Sequence, residues 1–207
     1  MMKKIVFLFF ALFPLVAVAQ GSAEALLDKA VAVIKSDAAV QMDYDYTVYD
    51  DDGVIVYSDN GTMKLDNDRY SLTMENMKVW CDGKVQWSYM KDIDEVYITG
   101  ADSEEAQNLS PLYIMEKYRE NYSMVLVDKG TSAMVILTSK ESEEEVERLE
   151  LVIDKETARL QSLFIYMSAQ GKVEVFLNNY VAKCSFGRNE YECPINAFPT
   201  AEIIDMR

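Results

Sequence analysis

The sequence predicts a mainly β protein (α+β): an unclosed antiparallel β-barrel of about eleven strands, with helices as a lid over a hydrophobic cavity. Three observations carry this. From Gly61 to Ile98, short apolar-alternating runs are cut by turn residues at Asp66-Asn67-Asp68, Glu75-Asn76, Asp82-Gly83 and Lys91-Asp92. Hairpin spacing resumes from Ser123 and runs to Asn178, with no alternation of strand and helix. Only two stretches have helical spacing, too few to flank a sheet this large on both faces. A sheet of that size curls, and a half-closed barrel with the helices inside it or across its mouth is wide enough to hold a ligand.

The elements follow in order. Lys3-Lys4, the apolar run Ile5 to Val18 broken by Pro14, and the small residues of Ala17-Val18-Ala19 read as a secretory signal peptide cut after Ala19. The apolar run is short of the ~20 residues a membrane span needs. No Cys follows it to carry a lipid anchor, so residues 20–207 are expected as one exported domain. Ser22 to Asp37 is helical, with Ala23 to Leu27, Ala30-Val31 and Ile34 as its apolar stripe. Val40, Met42, Tyr44, Tyr46 and Val48 alternate with polar residues, as in a half-buried strand. Asp50-Asp51-Asp52-Gly53 is a turn whose spacing does not match a twelve-residue calcium loop. Val54 to Tyr57 returns, and Gly61 marks a bulge before Met63.

Within the meander, four sets step by two and so share a face each: Met63 and Leu65; Tyr70, Leu72 and Met74; Met77, Val79 and Cys81; Val85, Trp87 and Tyr89. Asp82-Gly83 suits a tight hairpin, since Gly tolerates positive φ. Ser110-Pro111 opens a second helix carrying Leu112 and Met115, placed to be a second cover. Later strands run over Met124–Asp128, Ala133–Ser139, Val146–Asp154, Arg159–Met167 and Lys172–Asn178, with Leu160, Phe164 and Tyr166 on one parity. Asn179 to Arg207 is a tail.

Composition limits the function. Half of the 207 residues are hydrophobic, with 13 Tyr and 12 Met, which argues for a real core. The formal net charge of -15 and the lack of basic clusters exclude a nucleic-acid partner bound through phosphates. There is no histidine, which removes the commonest general base and zinc ligand. Carboxylate pairs such as Asp92 and Asp94 are present, but no nucleophile motif accompanies them, so the chain is not read as an enzyme and no cofactor is expected. Of three cysteines, Cys184 and Cys193 lie across the turn-like Gly187-Arg188-Asn189 and could close a disulfide, leaving Cys81 free; all three reduced is the alternative.

Val79 to Tyr89, VWCDGKVQWSY, resembles the DGK-x-x-W-x-Y hairpin of LolA-type periplasmic outer-membrane lipoprotein carriers. Glu95-Val96-Tyr97-Ile98, the acidic loop after it, Ser110-Pro111-Leu112 opening a helix, and the Gly61 to Leu65 strand follow that family's order. The ending Ala201 to Arg207 is similar to that of the Bacteroidetes branch. The resemblance implies an unclosed barrel lidded by helices, whose cavity takes lipoprotein acyl chains. Its implied partners are an inner-membrane ABC lipoprotein exporter and the outer membrane or an outer-membrane acceptor, for a monomer in the periplasm. One departure stands out. Proteobacterial carriers have a basic turn after the Gly-x-Leu strand, whose Arg helps hold the lid; here the turn is Asp66-Asn67-Asp68 with Arg69 shifted beyond it.

Adaptable Met and amphipathic Tyr suit acyl chains of varied shape. The expected lining is Tyr44, Tyr46, Met63, Leu65, Tyr70, Leu72, Met74, Trp87, Tyr89, Leu112, Met115, Phe164 and Tyr166. An envelope-stress sensor built on a similar half-barrel, or a carrier of another lipid, is the alternative reading.

Overall fold

A computed structural model describes residues 15–103, 106, 115, 121–141, 146–168 and 171–207, with side chains from residue 21 onward. Helix α1 is Leu15–Ser36. It begins inside the segment expected to be removed and seven residues before the helix read from the stripe. The first meander is β1 (Ala39–Tyr49), β2 (Ile55–Asp66), β3 (Arg69–Thr73), β4 (Met77–Cys81), β5 (Val85–Met90) and β6 (Glu95–Gly100). The second is β7 (Tyr122–Lys129), β8 (Ser132–Ser139), β9 (Val146–Asp154), β10 (Leu160–Met167) and β11 (Gly171–Cys184). A last strand, β12 (Glu202–Asp205), lies in what the sequence read as tail.

All twelve strands form one sheet, ordered β12-β6-β5-β4-β3-β2-β1-β11-β10-β9-β8-β7. The two meanders join where β1 pairs antiparallel with β11, and the outermost strands are β12 and β7, so the barrel stays open. Every pairing is antiparallel except β12, which runs parallel to β6. The β1–β11 register shifts twice, near Gln41, and Asn179 and Lys183 on β11 take φ of 50° and 57°. Bulges of this kind bend and twist a strand, and here they curl the sheet at its seam.

Local chemistry explains the turns. Asp82 Oδ1 accepts from the N–H groups of Lys84 and Val85 at 2.8 Å each, and Gly83 takes φ +89°. Asp50 Oδ1 accepts from the N–H groups of Asp52 and Val54. That carboxylate organises the acidic turn.

Gly61 is not at a bulge. It pairs directly with Tyr44 in an unbroken stretch of the β1–β2 register. The Tyr44 ring lies across it, and a Cβ there would sit 2.2 Å from the Thr73 carbonyl oxygen and 2.6 Å from the Tyr44 hydroxyl. Gly61→Ala therefore forces backbone or ring to move. We expect a loss of about 1–3 kcal/mol in urea unfolding, with the Tyr44 environment disturbed.

α1 lies on the concave side against β7 and β8. Ala23, Leu27, Ala30, Val31 and Ile34 form its buried stripe, at the i, i+3, i+4 spacing of one helical face. Asp37, just past its end, accepts from the Tyr180 hydroxyl at 3.0 Å, and Arg159 lies 3.6 Å from the same carboxylate oxygen and 4.2 Å over the Tyr180 ring. The second helix expected from Ser110 falls mostly outside the described residues. Within it Met115 is helical and buried.

Candidate functional site

A cavity of about 800 Å³ lies between α1 and the concave face of the sheet. Protein interiors pack with few voids larger than a water molecule, so an apolar space of this size is the candidate site. It stands toward the upper end of the ~300–1,000 Å³ range of ligand pockets. Leu27 and Ile34 of α1 and Met115 form its helical side. The inward residues of β1 (Met42, Tyr44, Tyr46, Val48) and of β2 (Tyr57, Met63, Leu65) form one wall. Leu137 of β8, Leu149 and Leu151 of β9, Leu163 and Ile165 of β10, and Val173, Val175 and Leu177 of β11 form the other. Among the described residues, six methionines touch the space: Met42, Met63, Met74, Met77, Met90 and Met115. Their unbranched thioethers adapt to irregular ligands where branched side chains would not. Asn76, Asp92, Ile93 and Tyr57 gather at one end, where Ile93 is 56% and Tyr57 40% exposed. That end is the mouth.

The structure brings Tyr44, Tyr46, Met63, Leu65, Leu72, Met74 and Met115 to the cavity, while Leu112 lies outside the described residues. It does not bring Tyr70, Trp87, Tyr89, Phe164 or Tyr166 there. Tyr70 points inward but is sealed in the core; its hydroxyl donates to Gln86 Oε1 and, at 3.0 Å, toward the Ala106 carbonyl. Trp87 and Tyr89 face outward, because Cys81 pairs with Gln86 and Met77 with Met90, so the even residues of β5 join the inner face. The residues after β11 run along this outer side. Phe198 packs on Tyr89 at 4.2 Å and edge-on to Trp80 at 6.0 Å.

Phe164 and Tyr166 are outward for a different reason. The β9–β10 register slips between Leu160 and Ser162, so Leu160, Leu163 and Ile165 all reach the cavity although their numbers change parity. Phe164 instead meets Phe176 edge-on at 5.7 Å, and Tyr166 lies 4.1 Å under the Arg148 guanidinium. Sequence reasoning missed the β8, β9 and β11 walls. Their signal was present in the alternation of Leu149, Leu151 and Ile153 and of Val173, Val175 and Leu177.

Arg69 pairs with Asp66 and lies 4.9 Å over the Tyr191 ring, against the C-terminal segment. The arginine at the end of α1 is Arg159. The three thiols are free. Cys184 Sγ donates to the Val181 carbonyl at 3.4 Å, and burial raises the half-buried Cys193 thiol to about 11. The disulfide expected from spacing is not formed in this structure, because Cys184 ends β11 with its sulfur turned back along that strand.

Burial pushes the hydroxyls of Tyr44 and Tyr180 above the ordinary tyrosine value, helped by Asp59 and Asp37 respectively, and burial does the same for Tyr70. A tyrosine raised in the folded state contributes stability that is complete below its unfolded value near 10 and is lost as pH rises beyond it. We therefore expect unfolding to set in above about pH 10. Tyrosinate absorbance and loss of far-ultraviolet dichroism should rise together for these three residues.

Residues 15–168 match the family described as outer membrane lipoprotein carrier protein LolA. The chain belongs to this family. Among solved structures, an uncharacterized conserved protein of Thermus thermophilus is similar at 10% identity, with a TM-score of 0.60 over 89% of this chain and 99% of that one. MucB is similar at 11% identity, with a TM-score of 0.52 over 89% of this chain and 66% of MucB. The Mycobacterium tuberculosis lipoprotein LppX matches at 9% identity and a TM-score of 0.46 over 80% of this chain and 98% of that one. At such identities the first two show a shared fold. No curated protein matches the chain. The LolA family assignment and the open twelve-stranded sheet with its helical lid agree with each other. Among the described residues, no helix is long and apolar enough to cross a membrane.

Proposed function

We propose that this protein is a periplasmic carrier that holds the acyl chains of lipoproteins in the cavity and moves them from the inner to the outer membrane. The observation that carries the reading is the methionine-rich apolar cavity of about 800 Å³ between α1 and the sheet, in a chain of the LolA family. Burying a methylene is worth about 0.8 kcal/mol. About a dozen methylenes thus supply roughly 10 kcal/mol, enough to keep a diacylated cargo out of water. The six methionine thioethers let the cavity take chains of different length and branching. An ABC exporter of the inner membrane would load the carrier, and the outer membrane or an acceptor in it would receive the cargo. The leader ending at Ala19 would deliver the chain to the periplasm as a monomer of residues 20–207.

The test is native mass spectrometry of the protein purified from its exported compartment, followed by extraction of bound lipid. Acylated peptide or acyl chains in near-stoichiometric amount are expected. A lipid-free mass, together with failure to take up a fluorescent fatty acid, would overturn the reading. The second reading is an envelope sensor that uses a similar half-barrel to detect stray lipoproteins. A carrier hands its cargo to outer-membrane vesicles; a sensor keeps it.

A further inference from the structure

β2 is bonded on both sides only from Thr62 onward, where β3 joins it with Thr73 opposite Thr62. Ile55 to Gly61 pairs with β1 on one side; on the other, the Thr73 carbonyl closes on Gly61 and the Glu75 N–H on Asp59, while beside Ile55 to Ser58 no strand lies among the described residues. The strip is open to solvent: Ile55 is 57%, Val56 59% and Tyr57 40% exposed. An unpaired strand edge offers free N–H and C=O groups and is a template for an added strand. This edge starts at the cavity mouth, since Tyr57 belongs both to the strip and to the lining. The mouth and the edge are one continuous surface.

Charge selects the occupant. From Val48 to Thr62 the chain carries Asp50, Asp51, Asp52 and Asp59 and no Lys or Arg. Glu75, whose N–H donates to Asp59 at 3.1 Å, and Asp92 add to the acidic rim. The neighbouring base on β11, Lys172, is engaged by Glu174 at 2.6 Å. A second copy of this chain would bring the same acidic strip and be repelled, and so would an anionic bilayer. An extended peptide with basic residues is attracted and can complete the ladder.

We propose that the free edge of β2, Ile55 to Ser58, receives as an added strand the basic, extended polypeptide segment next to the acyl anchor of a bound lipoprotein. The proposal rests on the acyl-carrier reading. It makes the protein a reader of peptide as well as lipid, so that lipoproteins are preferred over free lipids with the same chains.

The experiment uses synthetic diacylated cysteine peptides with one anchor and three tails: about eight residues alternating Lys with Val, the same with Glu for Lys, and no tail. Binding to the exported protein is measured by displacement of a fluorescent fatty acid. The Lys tail is expected to bind about tenfold tighter than the bare anchor, and the Glu tail no tighter than it. Methylating backbone nitrogens of the Lys tail one at a time should weaken binding roughly threefold to tenfold at every second position and not between them. Asp51→Lys with Asp52→Lys should shift the preference toward the Glu tail. Equal affinity for all three ligands would overturn the edge proposal and leave the carrier reading standing. Failure of every acylated ligand would overturn both. A dimer abolished by Ile55→Lys would assign the edge to a second copy, and vesicle binding abolished by Val56→Glu would assign it to a membrane; either result overturns the proposal.

Discussion

Leu163→Asn weakens retention of an acyl ligand about tenfold to a hundredfold, while Phe164→Ala, one residue along the same strand, leaves retention unchanged. Leu163 lies on the cavity wall in the middle of β10. With a chain bound, an amide there has neither water nor a polar partner, at a cost of about 1–3 kcal/mol. In the empty protein, water entering by the mouth can reach it, so the fold survives. Phe164 points the other way, and its loss removes the edge-on contact with Phe176, worth about 0.5–1.5 kcal/mol of stability. Fatty-acid displacement measures the first effect, and urea unfolding measures the second. The reverse order, with Phe164→Ala the more damaging to retention, would mean that β10 presents its other face to the ligand.

Tyr191→Ala is expected to cost about 3–5 kcal/mol, the usual range for emptying a fully buried aromatic site. Tyr191 is 0% exposed although it sits in the irregular C-terminal segment. It follows the short 3-10 turn Arg188–Glu190 and is held under Arg69 and edge-on to Phe186 at 6.3 Å. Lys64 of β2 anchors the same segment through Glu190 at 2.5 Å. Losing this plug frees the strap that leads to Phe198 and to β12, and with it the cover of Trp80 and Tyr89. Exposed aromatics beside an uncovered β6 edge predict self-association, which sedimentation would detect.

Tyr191→Phe should do the opposite. The hydroxyl is buried with no partner among the described residues, so removing it stabilises the fold by about 1 kcal/mol. Burial, with Asp66 next, pushes this hydroxyl up to about 12. The wild-type protein thus loses stability between about pH 10 and pH 12, as the unfolded chain gives up a proton that the folded one keeps. The Phe variant lacks that loss at this site, and the gap between the two proteins should widen in that window.

Much of the site was readable in the residues themselves. The β1 alternation placed Tyr44 and Tyr46 on the inner face, and the Gly61 to Met74 pattern did the same for Met63, Leu65, Leu72 and Met74. In each case the opposite face is polar, so periodicity names the buried side without ambiguity. It failed on β5, where the apolar face of Val85, Trp87 and Tyr89 is the outer one, and on β10, where both faces carry large apolar side chains. On β5 the outer face is covered too, by Phe198 from the distant C-terminal segment. Buried Gln86 faces inward because Tyr70 satisfies it. On β10 one register slip carries Leu163 and Ile165 to the wall and turns Phe164 and Tyr166 away.

By itself, then, the sequence determined an acidic, histidine-free chain with a meander long enough to curl and enough Met and Tyr to line a space. Those properties are local: they depend on composition and on neighbours within a few residues. The tertiary structure alone decided which side of β5 and β10 meets the cavity, that β11 closes on β1, that β12 runs parallel to β6, and that β2 keeps a free edge at the mouth. Each of these is set by pairing between residues distant in sequence, and a period of two cannot say which partner lies opposite or where a bulge falls.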